Sequence, residues 1–136
     1  MSPRFEISKD EMKGPEPVPV GHYICTVLSL MQGRASTDGS LIVTGKFKIQ
    51  SPAQYASHIP LKNTFTMKDD APGKRDLCLL AQATKVAKAD ANGRFSYSTE
   101  DILGKTVVLD VKKRLWKPRP DAEGREVNDI VAFMPV

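Results

Sequence analysis

Five cations, Lys112, Lys113, Arg114, Lys117 and Arg119, fall within eight consecutive positions, with no acid among them and the sole tryptophan, Trp116, in their midst. Cations at this density neutralise phosphates. An indole offers a flat face on which any base can stack, at about 1–3 kcal/mol per base. The same residues also suit a solvated hairpin with Trp116 folded back onto the protein body. Other chemistry is poorly provided for. The histidines, His22 and His58, stand in no metal-ligand or triad spacing, and the chain lacks Cys-x-x-Cys, His-x-x-x-His, Gly-x-Ser-x-Gly and Walker-type phosphate loops. Asp69-Asp70 could hold magnesium, but acids just ahead of Pro72 suit the cap and dipole of a helix start. Glu100-Asp101 reads as a solvated turn. The sequence therefore predicts a binding protein with no cofactor, no metal and no catalytic constellation.

The elements that must position these residues follow from periodicity. Residues 1–20 read as an extended arm, because Pro15, Pro17 and Pro19 exclude helix and central strand. Residues 21–136 read as one domain, with order beginning at Gly21. Gly21 to Leu30 is a first strand rich in Tyr, Ile, Val and Leu. Leu41 to Gln50 alternates cleanly, with Leu41, Val43, Phe47 and Ile49 inward around Gly45. His58 to Lys68 alternates again, with Ile59, Leu61, Phe65 and Met67 inward and Asn63 as a local exception. Asp70-Ala71-Pro72 starts a helix of about four turns. Leu77, Leu80, Ala81, Thr84 and Ala87 mark its apolar stripe, and Asn92-Gly93 is its expected end. Lys105 to Leu115 and Val127 to Met134 are the fourth and fifth strands, joined by a hairpin loop with Pro118, Pro120 and Gly124. The order β-β-β-α-β-β predicts an all-β fold with one helix, a five-stranded OB-fold barrel.

That fold gives the basic residues a common address. Lys46 and Lys48 fall outward on the second strand, and Lys62 and Lys68 outward on the third, with Thr44, Thr64 and Thr66 between them. The outer face of these two strands is the usual OB groove, bounded by the loops joining strands one to two and four to five. Lysine and threonine are also ordinary on any wet strand face. Lys112, Arg114, Trp116, Lys117 and Arg119 on the hairpin, Arg34 in the loop between strands one and two, and Tyr55 between strands two and three complete the candidate site. Tyr55 could stack or cap. Phe95 and Tyr97 could line the groove or seal the base of the helix. Tyr23 and Phe133 are expected in the core.

Composition bounds the reading. A chain of 136 residues with 40% apolar content can build a core without staples. A net charge of +4 is only modest support for a polyanionic partner. No stretch reaches the roughly 20 apolar residues that span a bilayer, and no apolar leader opens the chain. Cys25, between Ile24 and Thr26, and Cys78, between Leu77 and Leu79, are expected as buried free thiols in a reducing cytoplasm.

The run Val18-Pro19-Val20-Gly21-His22-Tyr23, the later Ser98-Thr99-Glu100-Asp101-Ile102-Leu103-Gly104-Lys105-Thr106-Val107, and an end through an Asn128-bearing strand to Pro135 carry a resemblance. Over residues 18–135 the chain resembles small phage-encoded single-stranded-DNA-binding proteins of the OB-fold class. The resemblance implies sequence-tolerant binding of single-stranded DNA in phage replication or recombination, in the host cytoplasm. Nothing in the residues separates DNA from RNA. The alternative is an OB-fold interaction module, such as a phage inhibitor of a host factor, docking an acidic partner. One departure stands out: many such proteins end in an acidic tail that recruits partners, whereas this chain ends Val131-Ala132-Phe133-Met134-Pro135-Val136. That apolar end is expected to pack in the barrel or in a homo-oligomer contact.

Overall fold

The computed structural model describes residues 3–6, 16–35, 37–68, 72–117 and 119–136. The fold is mostly β: a five-stranded antiparallel sheet ordered β3-β2-β1-β6-β7. Its strands are β1 (Gly21–Arg34), β2 (Leu41–Ser51), β3 (Leu61–Thr66), β6 (Thr106–Trp116) and β7 (Arg125–Met134). The principal helix α1 (Pro72–Ala83) follows β3. A two-stranded hairpin, β4 (Lys88–Ala89) and β5 (Phe95–Ser96), and a single turn, α2 (Thr99–Ile102), lead to β6. No helix among the described residues is long and apolar enough to cross a membrane.

β1 is the pivot of the sheet. Its first half pairs with β6, Gly21 opposite Val111 through Thr26 opposite Thr106, and its second half pairs with β2. Register shifts at Ile24/Cys25 and Val27/Ser29 bend the strand between these partners, which is the usual effect of a bulge. The strand runs to Arg34, four residues beyond the sequence expectation. Met31 and Gln32 pair with Thr44 and Val43, so cross-strand pairing overrides their polar, turn-like context.

One face of the sheet holds the core. Cys25, Phe47, Ile49, Phe65, Val107, Leu109 and Val111 are fully buried, as the period-two pattern requires. Phe133 on β7 lies 5.8 Å from both Phe47 and Phe65, centroid to centroid. The two edge strands β3 and β7 therefore meet through side chains, but among the described residues no ladder joins them. A five-stranded sheet is what the fold shows; closure into a barrel by hydrogen bonds is not seen. Ile59, expected inward, lies outside β3 and is 53% exposed. The alternation ends at Pro60, which cannot donate to a ladder.

α1 packs Leu77, Leu80, Ala81 and Ala83 into the core. Its start presses so closely on β3 that a Cβ on Gly73 would collide with the Thr66 backbone. The Asp69-Asp70 cap lies outside the described residues. The helix ends at Ala83 and not at Asn92-Gly93. Lys85 takes the left-handed region at φ 63°, its N–H donates to Gln82 O at 3.0 Å, and Val86 N–H donates to Ala81 O at 2.9 Å. This is a Schellman closure with lysine where glycine is usual, so the sequence carried no stop signal there. Asp90 to Gly93 instead turn the β4–β5 hairpin, with the Asp90 carboxylate accepting from the N–H groups of Asn92 and Arg94 at 2.8 and 2.9 Å.

Order also begins before Gly21. Val18 is 2% exposed, and its N–H and C=O both bond the Asn128 side-chain amide at 2.9 Å. An asparagine amide offers one acceptor and one donor, as a backbone does, so Asn128 stands in for a neighbouring strand. His58 holds Glu16 O at 2.9 Å, and Tyr23 Oη donates to Pro19 O. Residues 16–20 are thus an extended strap docked beside β7.

Candidate functional site

The outer face of β2 and β3 is organised by register. Lys46 stands directly opposite Lys62, Thr44 opposite Thr64, and Ile42 opposite Thr66. On the other flank of β2, Lys48 pairs with Thr26 of β1, and Gln50 donates to the Thr26 hydroxyl at 3.0 Å. The inward burial of Val43, Phe47, Ile49 and Phe65 forces these polar residues outward. Among the described residues Lys46, Lys48 and Lys62 form no ion pair. Two like charges directly opposite on neighbouring strands destabilise a sheet. The face therefore holds a concentrated, uncompensated positive charge flanked by hydroxyls.

Lys68 sits differently. It pairs with Asp38 of the β1–β2 loop and so ties that loop to the end of β3. The Lys68 ammonium, with Ser40 second, holds the Asp38 carboxyl well below the usual carboxylate range. Arg34, expected in that loop, is the last residue of β1 opposite Leu41, and its guanidinium reaches across to Gly39 O of the loop at 3.5 Å. Tyr55 packs edge-on against buried Tyr23 at 5.7 Å and rests on the core, a capping position. Tyr97 also packs on the core, whereas Phe95 is 49% exposed.

The basic hairpin is less bare than its sequence. β6 and β7 pair from Val111 opposite Ile130 to Trp116 opposite Arg125. That register sets Glu126 and Asp129 beside the cations, and Asp110 stands two residues before Lys112 on β6 itself. Lys113 lies 3.8 Å from Glu126, Arg114 3.7 Å from Asp129, and Lys112 3.7 Å from Asp110. In the loop Arg119 pairs with Asp121 at 3.2 Å. Such exposed pairs are worth about 0–1 kcal/mol and exchange readily for a phosphate, but they cancel the local field. Asp110 is flanked on both sides, because His22 stands opposite it on β1 at 3.7 Å. Its Oδ1 is buried without a hydrogen bond, with the Lys112 ammonium and the His22 ring each 3.7 Å away. Trp116 is 40% exposed, and the Arg125 guanidinium lies 5.1 Å from its ring centroid. Lys117 is exposed and forms no ion pair among the described residues.

The sheet keeps the two basic sets apart, since β1 stands between β2 and β6. Across the open seam, Lys62 and Arg125, a cation outside both sets, line one cleft between the approaches to β3 and β7. Arg125, the acids opposite the hairpin and the Asn128 clamp were missed by sequence reasoning. The signal was present but needed a register: once the strands are paired outward from the loop, Glu126 and Asp129 fall on the same ribbon as the cations. No protein-family model matches the chain, and no curated protein is significantly similar to it.

Proposed function

We propose that this protein binds single-stranded nucleic acid without catalysing a reaction, using the outer face of β2 and β3 as its phosphate track and Trp116 as a stacking platform. The observation that carries this reading is the direct opposition of Lys46 and Lys62 with no acid between them. A sheet surface that keeps like charges side by side is relieved by an anion lying across it, and a phosphodiester chain with hydroxyl donors alongside meets that need. The sheet order, the helix after the third strand and the Phe133 contacts across the seam support an OB-type barrel as the frame. The resemblance to phage single-stranded-DNA-binding proteins supplies a replication or recombination context.

A titration of oligo-dT and of a duplex of equal length at several salt concentrations tests the proposal. It expects single strands to bind more tightly, with log affinity falling by about 0.7 per neutralised phosphate for each decade of salt. The second reading, a module docking an acidic protein, draws on the compensated hairpin, whose acids leave less field for phosphates. No oligonucleotide binding at low salt would select it.

A further inference from the structure

Where the edges of β3 and β7 part, they leave a cleft of about 300 Å³. That is the lower end of the range for small-molecule pockets, enough for one base and little more. Its lining is mixed: Ile59 and Pro60 before β3, Val127 on β7 and Pro17 of the strap give aliphatic surface, and His58 and Asn128, both already engaged with the strap backbone, stand among them. Ile59, which lines this concavity, keeps about half its surface exposed among the described residues. Lys62 and Arg125 supply cations on either side, the first from the Lys46–Lys62 pair and the second from the Trp116 stack. The cleft thus adjoins the lysine track at Lys62 and the tryptophan stack at Arg125.

The cleft also carries the acids Glu16 and Glu126. Carboxylates repel phosphate, so a phosphate seated inside is disfavoured. They accept hydrogen bonds from exocyclic amines, as acids do with cytosine N4. Bases of a single strand are free to present that edge once they are unstacked. We infer that the cleft is a seat for one unstacked base of the bound strand, with a preference for bases bearing an exocyclic amine. The aliphatic walls hold the ring, Glu126 and Glu16 accept from the amine, and Lys62 and Arg125 hold the flanking phosphates. This inference rests on the single-strand reading above and adds a sequence preference to it.

Oligo-dC and oligo-dT of equal length provide the test, since both are pyrimidines with equal phosphate numbers and only cytosine carries the amine. Wild-type protein should bind oligo-dC several-fold more tightly at neutral pH. Ile59→Ala, a change at an exposed residue outside the strand, should weaken oligo-dC binding several-fold. Glu126→Ala, which removes one of the two acceptors, should narrow the dC-over-dT difference, and adding Glu16→Ala should erase it. Equal wild-type affinity for both oligomers, or variants that keep the wild-type difference, would overturn the base seat while leaving single-strand binding in place. Failure of wild-type protein to bind either oligomer would remove the functional reading and the seat together.

Discussion

Arg125 lies over the Trp116 ring at 5.1 Å, held there because the two residues face each other in the β6–β7 register. The stack covers one face of the sole tryptophan and fixes its orientation, leaving 40% of the residue open. A cation over an indole is worth about 0.5–1 kcal/mol at an exposed site, less than a base stack. A base can therefore take the open face or compete with the guanidinium for the covered one.

Trp116→Ala should weaken oligo-dT binding by about 1–3 kcal/mol, the worth of one stacked base, and Trp116→Phe should recover part of it. Tryptophan emission should be quenched in step with binding. Unchanged affinity in the alanine variant, with quenching absent in wild type, would assign Trp116 to the hairpin's own packing.

Asn128→Ala should destabilise the fold by about 1–3 kcal/mol, because the N–H and C=O of Val18 lose their partner in a part-buried setting. Urea denaturation reads this directly. A midpoint equal to wild type would mean that the strap contributes nothing to the fold.

Lys85→Gly should raise stability by up to about 1 kcal/mol. Left-handed backbone costs an L-residue about 1–2 kcal/mol, and glycine returns about half of the gain through its freer unfolded chain. Lys85 is exposed and has no role in the proposed site. A lower melting temperature in the glycine variant would contradict the Schellman assignment.

Burial pushes the Cys25 thiol up to about 12 from an ordinary value near 9. The folded state thus holds its proton after the unfolded chain has lost it. Stability from this group is complete below about pH 9 and falls as pH rises through the window from 9 to about 12, by up to about 1.4 kcal/mol per pH unit. Burial raises Tyr23 in the same direction. Urea midpoints across this window should fall more steeply in wild type than in Cys25→Ala; parallel curves would count against it.

Much of the fold was legible because two clean alternations and one apolar stripe leave little choice of face. Val43, Phe47, Ile49, Phe65 and Leu109 are buried where period two puts them. What failed to show lay in signals that are not local. Lys85 ends α1 with no glycine to announce it, and Asn128 orders Val18 from 110 positions away. The site divides likewise. The outward lysines followed from strand parity, but their opposition needed the β2–β3 register. The hairpin looked uniformly basic because its acids lie just outside the basic run, Glu126 and Asp129 on the returning strand and Asp110 and Asp121 at its two ends.

The central claim is that Lys46 and Lys62 are kept together for an anion. Replacing both in Lys46→Gln/Lys62→Gln should lower the salt slope of oligo-dT binding by about 1.4, at about 0.7 per lost phosphate contact, and weaken binding at low salt. The same variant should be more stable than wild type by a few tenths of a kcal/mol up to about 1, since a like-charge pair has been removed. An unchanged salt slope, with or without a gain in stability, would contradict the account.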